Sequence, residues 1–150
     1  MTPLAEATIE LTDAPDPDDA RRILQGLVEL NRQFLGPNDL RRLAVLARAE
    51  SRLVGGLLGE TSRGLLFVEL LWVEIERRRH GLGSRLLAAA ESEARRRGCH
   101  TAWLDTFDFQ ARPFYERHGY RQFGELGGLP GGHRRHFMSK RLDGGSGNPA

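Results

Sequence analysis

The chain has one cysteine, no long apolar run and little excess charge, and each absence excludes a class of protein. Cys99 is the single cysteine, so no internal disulfide can form. No stretch approaches the roughly 18 to 20 apolar residues that a membrane-spanning helix needs. A composition of 39% hydrophobic and 28% charged residues is typical of a soluble globular protein.

Cysteine and histidine chemistry is not indicated by the spacing of these residues. Cys99 falls at a predicted helix-to-strand junction, where we interpret it as a small buried packing residue. A nucleophilic role would need a neighbouring base, but the adjacent His100 would point to the opposite face of a strand. The five histidines have no paired spacing such as H-E-x-x-H, so no metal site is predicted.

The net charge is only +2, but a pI near 9.2 reflects three basic clusters, at residues 77–79, 95–97 and 133–135. Nucleic-acid binding is disfavoured because none of the clusters is interleaved with aromatic residues. We assign the first cluster to a phosphorylated cofactor, the second to a solvated helix end and the third to an exposed hairpin.

The chain length of 150 residues predicts one compact domain, over residues 1–142. The glycine-rich residues 143–150 are predicted to form a disordered tail. The first 19 residues are acidic and lack both a basic leader and an apolar core, so they do not resemble a signal peptide. We therefore expect a cytoplasmic protein.

Hydrophobic periodicity predicts the order β-α-β-β-β-α-β-α-β-β. Strands are predicted at residues 8–12, 43–48, 53–60, 65–73, 100–107, 120–126 and 135–142. Helices are predicted at residues 17–35, from residue 82 to the glycine at 98, and at 111–118. This order predicts an α/β (α+β) mixed sheet with helices on both faces.

The third strand of the predicted meander, residues 65–73, is nearly continuously apolar. Such a run predicts a central strand that is covered on both faces. Glu69 is its one charged residue. The helix that follows is supported by two i,i+4 ion pairs, Glu91/Arg95 and Glu93/Arg97.

A glycine-rich turn joins this strand to the helix. Gly81 and Gly83 let the backbone approach a ligand closely, and the free N–H groups of the first helical turn point at it. With the helix dipole they favour an anion, and a pyrophosphate fits. Arg78 and Arg79 add charge-assisted bonds.

Two motifs give the chain a family resemblance. Residues 78–83 read R-x-x-G-x-G, and residues 111–120 read A-x-x-F-Y-E-x-x-G-Y. Both resemble signatures of the GNAT superfamily of N-acyltransferases, in the right order and separated by a helix and a strand. The resemblance covers about residues 43–142, and it implies the GNAT-like acyl-CoA N-acyltransferase fold.

Two positions depart from the family pattern. Arg79 stands where many members have glycine, which indicates an extra phosphate contact. Asp108 stands where asparagine is common, seven residues before Tyr115, and an ionised aspartate could not donate a hydrogen bond to the cofactor.

The resemblance implies that parallel strands 65–73 and 100–107 splay apart and that acetyl-CoA binds between them, with pantetheine against the backbone of residues 71–73. The implied cofactor contacts are Leu71, Trp72, Val73, Arg78, Arg79, His80, Gly81, Leu82, Gly83, Ser84, Asp108 and Phe114.

The resemblance also implies that Tyr115 is the general acid that protonates the departing thiolate. A phenol with a pKa of about 10 holds its proton at neutral pH. Glu69 would be the general base if partial burial raised its pKa, but it could instead form a salt bridge with a neighbouring arginine. Asp105 and Asp108 are alternatives, as a base or as ligands of a cationic substrate.

We therefore expect an acyl-CoA-dependent N-acetyltransferase that transfers the acetyl group of acetyl-CoA to a primary amine, by direct attack. The acceptor, a small molecule or a protein, is left open. The alternative is a binding module of the same fold that senses acyl-CoA without turnover. A homodimer is compatible with the sequence, although no motif supports one.

Overall fold

The structure is a computed structural model that describes residues 1–144. The predicted disordered tail falls almost wholly on residues 145–150, outside the described residues. The chain divides into two compact units, Met1–Asn38 and Asp39–Ala150, and each is described by itself. The expectation of one domain over residues 1–142 stays a prediction.

The first unit contains helix α1, Pro17–Leu35. Its start follows from local chemistry, because the side chain of Asp16 accepts the N–H of Asp18 at 2.7 Å and a proline occupies the first helical position. Gly36 ends the helix with φ at 76°, in the left-handed region that favours glycine. These bounds confirm the prediction from the sequence.

The predicted strand at residues 8–12 is wrong. These residues form no strand, and Ile9 and Leu11 are 94% and 98% exposed. Alternation of polar and apolar residues fits a half-buried strand, but it provides neither a partner strand nor a surface to pack on. The observed order therefore begins with a helix.

The second unit is a six-stranded mixed sheet with two α-helices. The strands are β1 Arg41–Ala49, β2 Arg52–Ser62, β3 Leu65–Val73, β4 Thr101–Phe107, β5 Arg121–Leu126 and β6 Arg135–Arg141. Helix α2 is Leu82–Arg96, helix α3 is Arg112–Arg117, and short 3-10 turns lie at Ile75–Arg77 and Pro130–Gly132. The spatial order is β1-β2-β3-β4-β6-β5, which confirms the predicted fold class.

The parallel strands β3 and β4 separate halfway along, as predicted. They pair from Leu65 opposite Thr101 to Val68 opposite Leu104 and no further. At the same point the pairing of β2 with β3 skips Glu69, which is the extra residue of a β-bulge. Because a bulge bends its strand, β3 diverges from β4 at the point where the gap opens.

The core lies between α2 and the sheet. Buried side chains of the helix pack with those of the strands, and this cluster includes Leu86, Leu87, Ala90, Ala94, Leu57, Leu66, Val68, Leu104 and Met138. On β3, however, Leu70 and Trp72 are 58% and 49% exposed. The prediction that both faces of this strand are covered is therefore wrong, because an apolar run does not specify what packs on each face.

One of the two predicted helix ion pairs is also wrong. Glu91 is 5% exposed and accepts hydrogen bonds from the Tyr120 hydroxyl at 2.9 Å and from Lys140 Nζ at 2.8 Å. Its position between Ala90 and Ala94 on the buried face directs it into the core. The other predicted pair, Glu93 with Arg97, is confirmed at 2.9 Å.

Candidate functional site

The turn between β3 and α2 presents free backbone donors. Gly81 caps the helix in a left-handed conformation, with φ at 80°, and no side chain caps it. The first bond of the helix runs from the Arg85 N–H to the Gly81 carbonyl at 3.1 Å. The N–H groups of residues 82–84 therefore have no acceptor within the helix. This end of a 15-residue helix suits an anion.

The two arginines of the turn have different roles in its structure. Arg79 has φ at 65°, which costs a non-glycine residue about 1–2 kcal/mol. This conformation gives a backbone reason for glycine at the same position in many family members. The Nε–H of Arg78 donates to the Val73 carbonyl at 2.9 Å, so Arg78 joins the turn to the end of β3.

The start of α2 contacts α3 through polar and aromatic groups. Ser84 Oγ lies 2.8 Å from His118 Nε2, and the ring of Phe114 packs 4.7 Å from that of His118. A Cβ on Gly83 would lie 3.5 Å from the Phe114 ring, in ordinary van der Waals contact. The structure thus brings together three of the predicted cofactor contacts, Gly83, Ser84 and Phe114.

The predicted pantetheine contacts Leu71, Trp72 and Val73 lie on β3 beyond its last pair with β4. On one side this stretch pairs with β2, and on the other side it has left its parallel partner. A strand edge of this kind can bond an extended ligand through its backbone. Together with the free N–H groups of α2, it fits a long cofactor with an anionic segment.

Tyr115 lies on α3 and is 6% exposed. Its ring packs against those of Phe114 at 5.2 Å and Tyr120 at 5.7 Å. Burial, reinforced by the negative charge of Asp105, raises the pKa of Tyr115 to about 12. The phenol therefore keeps its proton at neutral pH.

Glu69 is exposed and forms an ion pair. Its carboxylate accepts from Arg42 at 3.5 Å, and Arg42 also contacts Glu60 at 3.2 Å. The side chain of Glu69 is 43% exposed, so it lacks the burial on which its selection as a base partly depended. The sequence left two interpretations of Glu69 open, a general base or a partner in a salt bridge, and the structure shows the salt bridge.

Asp105 and Asp108 are both engaged by groups near the β5–β6 connection. Asp105 accepts from Arg135 Nε at 2.7 Å, a bond that raises the pKa of Arg135. Asp108 accepts from His133 Nδ1 at 2.8 Å and from the Arg134 N–H at 3.1 Å. Burial alone would raise the pKa of Asp108, but these hydrogen bonds lower it below its ordinary value.

A cavity of about 650 Å³ opens beside the turn. It is lined by the arginines Arg52, Arg77 and Arg85, by Glu74 and Glu76, and by the turn residues His80 and Leu82. Arg52 and Arg85 are not among the site residues predicted from the sequence. The basic run at residues 77–79 was a local signal, but nothing local connects Arg52 at the start of β2 to this turn.

Within residues 1–144, no group of three or more His, Cys, Asp or Glu could hold a metal ion. No helix in the same range has the length and apolar character to cross a membrane. Cys99 is buried in the core, which raises the pKa of its thiol and confirms its interpretation as a packing residue.

The fold and the site define a class of protein. A mixed sheet that splays open next to an uncapped helix N-terminus can bind a long cofactor, its extended part along the strand edge and its phosphates on the helix. A buried phenol, that of Tyr115, lies on the helix next to this N-terminus.

Comparison with known proteins agrees with this class. The model of the acetyltransferase (GNAT) family matches residues 6–120. An acetyltransferase of Agrobacterium fabrum is 40% identical over 133 residues, which are 88% of this chain and 97% of that one. A blasticidin-S acetyltransferase of Streptomyces morookaense is 45% identical over 91 residues, 60% of this chain and 67% of that one.

A crystal structure of an acetyltransferase from Bacillus cereus is also similar, with a TM-score of 0.80 and 30% identity. The match covers 88% of this chain and 97% of that one. The chain belongs to the GNAT family of acetyltransferases. It is thus an acyl-CoA-dependent acetyltransferase, from a family whose co-substrate is acetyl-CoA.

Proposed function

We propose that this enzyme transfers the acetyl group of acetyl-CoA to a primary amine, with Tyr115 as the general acid. One observation carries the proposal. Tyr115 lies on α3 beside Phe114, and Phe114 and the residue that caps this helix, His118, contact Gly83 and Ser84 at the start of α2. The proton donor and the anion site are therefore built on one pair of touching helices.

The residues around the gap fit the cofactor. The N–H groups of residues 82–84 would bind its pyrophosphate, with Arg79 adding positive charge. The edge of β3 at residues 71–73 would take the pantetheine. Asp108 would contribute less, because hydrogen bonds from His133 and the Arg134 N–H already engage its carboxylate.

The reaction requires proton transfers at two atoms, because the acceptor nitrogen loses protons and the departing sulfur gains one. The acceptor ammonium must lose one proton before its nitrogen attacks the thioester carbonyl, and the nitrogen must lose a second proton to solvent as the amide forms and the C–S bond breaks. Tyr115 would give its proton to the departing sulfur, because a phenol with a pKa of about 12 stays protonated until a strong base develops beside it. A solvent proton would then restore the phenol.

Two carboxylates flank the gap in which the amine would arrive. Glu69 and Asp105 are the residues that follow Val68 and Leu104, the last parallel pair of β3 and β4. Each carboxylate is balanced by an arginine, Arg42 or Arg135. Because the contact of Glu69 with Arg42 is long, at 3.5 Å, and the Glu69 side chain is 43% exposed, Glu69 would still be able to accept the proton of the amine, directly or through water.

The similarity to a blasticidin-S acetyltransferase supports a small amine-bearing molecule as acceptor. The test is thiol release from acetyl-CoA with a panel of amines that includes blasticidin S, a polyamine, an aminoglycoside and a peptide with a free N-terminus. We expect release with at least one small amine, strongly reduced by Tyr115→Phe and reduced by Glu69→Gln. Arg48→Gln, on β1 and outside the site, is the control and should retain full activity.

The outcomes separate the alternatives. Saturable binding of acetyl-CoA without thiol release for any amine would favour a non-catalytic sensor. Unchanged turnover in both the Tyr115 and the Glu69 variants would overturn the assignment of these residues while leaving the acetyltransferase activity in place.

A further inference from the structure

His118, the residue that caps α3, is a polar side chain at the anion site that the chemistry proposed above does not use. Its Nε2 lies 2.8 Å from Ser84 Oγ, although the two residues are 34 positions apart. Ser84 is one of the three residues at the start of α2 whose backbone N–H groups have no acceptor within the helix. The contact therefore joins α3 to the donors that are proposed to bind the pyrophosphate.

The ring of His118 is held in place by the end of α3. The His118 N–H donates to the Tyr115 carbonyl at 3.0 Å, and the ring packs 4.7 Å from that of Phe114, with 54° between the two planes. His118 and Ser84 are both partly buried. Because Phe114 and Ser84 both contact the imidazole, it cannot turn away from the Ser84 hydroxyl without losing contacts.

The chemistry of an anion decides which atom donates in this hydrogen bond. A serine hydroxyl has one proton and two lone pairs, and a neutral imidazole has one N–H and one bare nitrogen. If Ser84 gave its proton to His118, the hydroxyl would present only lone pairs to an anion and would repel it. If Nε2 carries the proton and donates it to Oγ, the Ser84 hydroxyl is free to donate to a phosphate oxygen beside the backbone N–H groups.

We propose that His118 is a positioning residue, whose Nε2–H donates to Ser84 Oγ and so directs the Ser84 hydroxyl proton at the pyrophosphate of coenzyme A. His118 itself does not touch the cofactor, and it acts through Ser84. The same hydrogen bond ties the anion site to the helix that carries Tyr115, so the phosphate donors and the proton donor share one support. The inference rests on the proposed function, since it assumes that the turn binds coenzyme A.

A double-mutant cycle on Ser84 and His118 tests this role, with the affinity for coenzyme A measured by calorimetry. Ser84→Ala should weaken binding by about 10-fold, the usual contribution of a hydrogen bond to a charged group. His118→Phe keeps a ring against Phe114 but removes both nitrogens, and it should weaken binding by at least about 4-fold. When Ser84 is already alanine, the same change should cost less than about 2-fold, because no hydroxyl is left to direct.

Two further measurements separate the hydrogen bond from packing. His118→Gln supplies an amide N–H in place of Nε2–H, so coenzyme A should bind within about 2-fold of the wild-type affinity. Nitrogen-15 chemical shifts of the His118 ring should show a protonated Nε2 in the complex with coenzyme A.

His100→Gln is the matched control. His100 Nδ1 also lies 2.8 Å from a hydroxyl, that of Thr101, but His100 precedes the paired part of β3 and β4 and is far along β4 from the gap. This variant should bind coenzyme A as the wild type does. Circular dichroism and thermal denaturation show that each variant is folded.

The outcomes distinguish this inference from the proposed function. Equal losses from His118→Phe with and without the Ser84 hydroxyl would assign His118 to packing alone and overturn the inference, as would an unprotonated Nε2 in the complex. A His118→Gln variant as weak as His118→Phe would also contradict it. Absence of coenzyme A binding by the wild-type enzyme would instead overturn the proposed function, on which the inference rests.

Discussion

The hydroxyl groups of the two tyrosines, Tyr115 and Tyr120, have different surroundings although their rings touch. The Tyr120 hydroxyl donates to the buried carboxylate of Glu91 at 2.9 Å, so it serves the core. Tyr115 lies on the helix that contacts the anion site, and its pKa is raised mainly by burial. The pair therefore offers a comparison in which the same atom is removed from two neighbouring rings.

Tyr115→Phe should lower kcat by about 10²- to 10⁴-fold, the usual contribution of a general acid, while the KM for acetyl-CoA changes little because the ring packing remains. Tyr120→Phe should keep kcat and lower the unfolding free energy by about 1–3 kcal/mol, since Glu91 loses a buried donor. Steady-state thiol release and chemical denaturation measure the two effects. Equal losses of kcat in both variants would argue against Tyr115 as the acid.

Arg79 allows the backbone and the charge of the turn to be tested separately. Because its φ is 65°, Arg79→Gly should leave the unfolding free energy unchanged within about 1 kcal/mol, as relief of strain offsets the added chain entropy. Arg79→Val should lose about 1–2 kcal/mol, because a β-branched residue tolerates this conformation poorly. Thermal denaturation of the two variants provides the measurement.

The same variants test the phosphate contact predicted for Arg79. Arg79→Gly keeps the turn but removes the guanidinium, so binding of coenzyme A should weaken in a stable protein. Affinity equal to that of the wild type would show that Arg79 contributes only its backbone to the turn.

At the scale of elements, the bulge at Glu69 explains how the gap forms, and it requires Gly59 on the neighbouring strand. A Cβ at Gly59 would lie 2.3 Å from the Phe67 carbonyl oxygen. This distance is much shorter than a van der Waals contact, so the backbone would have to move. Gly59→Ala should therefore cost about 3 kcal/mol of unfolding free energy and disturb the separation of β3 from β4. Gly127→Ala, where a Cβ would meet nothing within 4 Å, is the control and should be nearly neutral.

Denaturation gives the stability of both variants, and binding of coenzyme A reports on the gap. If Gly59→Ala were as stable as Gly127→Ala, the close packing of β2 against the bulge would be contradicted.

The elements that could be predicted are those with local signals. The predicted bounds of helix α1 agree with the observed ones, because a capping aspartate, a first-turn proline and a terminal glycine mark its ends. Strand β3 was predicted at its observed bounds from a continuous apolar run between turn residues. The parallel pairing of β3 with β4 followed from the family resemblance, and the structure confirms it.

The features that could not be predicted depend on contacts distant in sequence. Residues 8–12 have the pattern of a strand without a partner. Glu91 was predicted to pair with Arg95 at i+4. It lies on the buried face of α2, however, and binds Lys140, which is 49 positions away. Arg52 enters the cavity from β2, and the bulge at Glu69 depends on the register of β2 with β3. Hydrophobic periodicity predicts which face of an element is apolar, but it does not predict which distant residues pack against that face.

For the whole molecule, nearly all the basic residues are arginines and not lysines, so few groups lose a proton at high pH. Of the 22 lysine and arginine residues, Lys140 is the single lysine, and arginines stay charged throughout. Among the groups that can lose a proton in alkali, the buried Cys99 and the two tyrosines stand out, because burial raises the pKa of each. Burial raises the pKa of both tyrosines, so alkaline stability depends strongly on them.

The sign of the pH dependence follows from the tyrosine pKa values. Tyrosine in the unfolded chain loses its proton near pH 10, whereas the pKa of Tyr115 in the folded protein is about 12. Its contribution to stability is therefore fully present below pH 10 and is lost as pH rises through about 12. A difference of this size corresponds to about 3 kcal/mol, and Tyr120 acts in the same direction.

We therefore expect the unfolding free energy to fall steeply above about pH 10, and tyrosinate absorbance to appear only as the protein unfolds. Total stabilities of about 5–15 kcal/mol make the loss from two tyrosines large enough to unfold the chain. In Tyr115→Phe the fall between pH 10 and 12 should be smaller by about 3 kcal/mol. Denaturant titrations across this range, followed together with ultraviolet absorbance, measure both quantities. Tyrosinate absorbance with a midpoint near pH 10 in a protein that is still folded would contradict the buried, proton-retaining state assigned to both phenols.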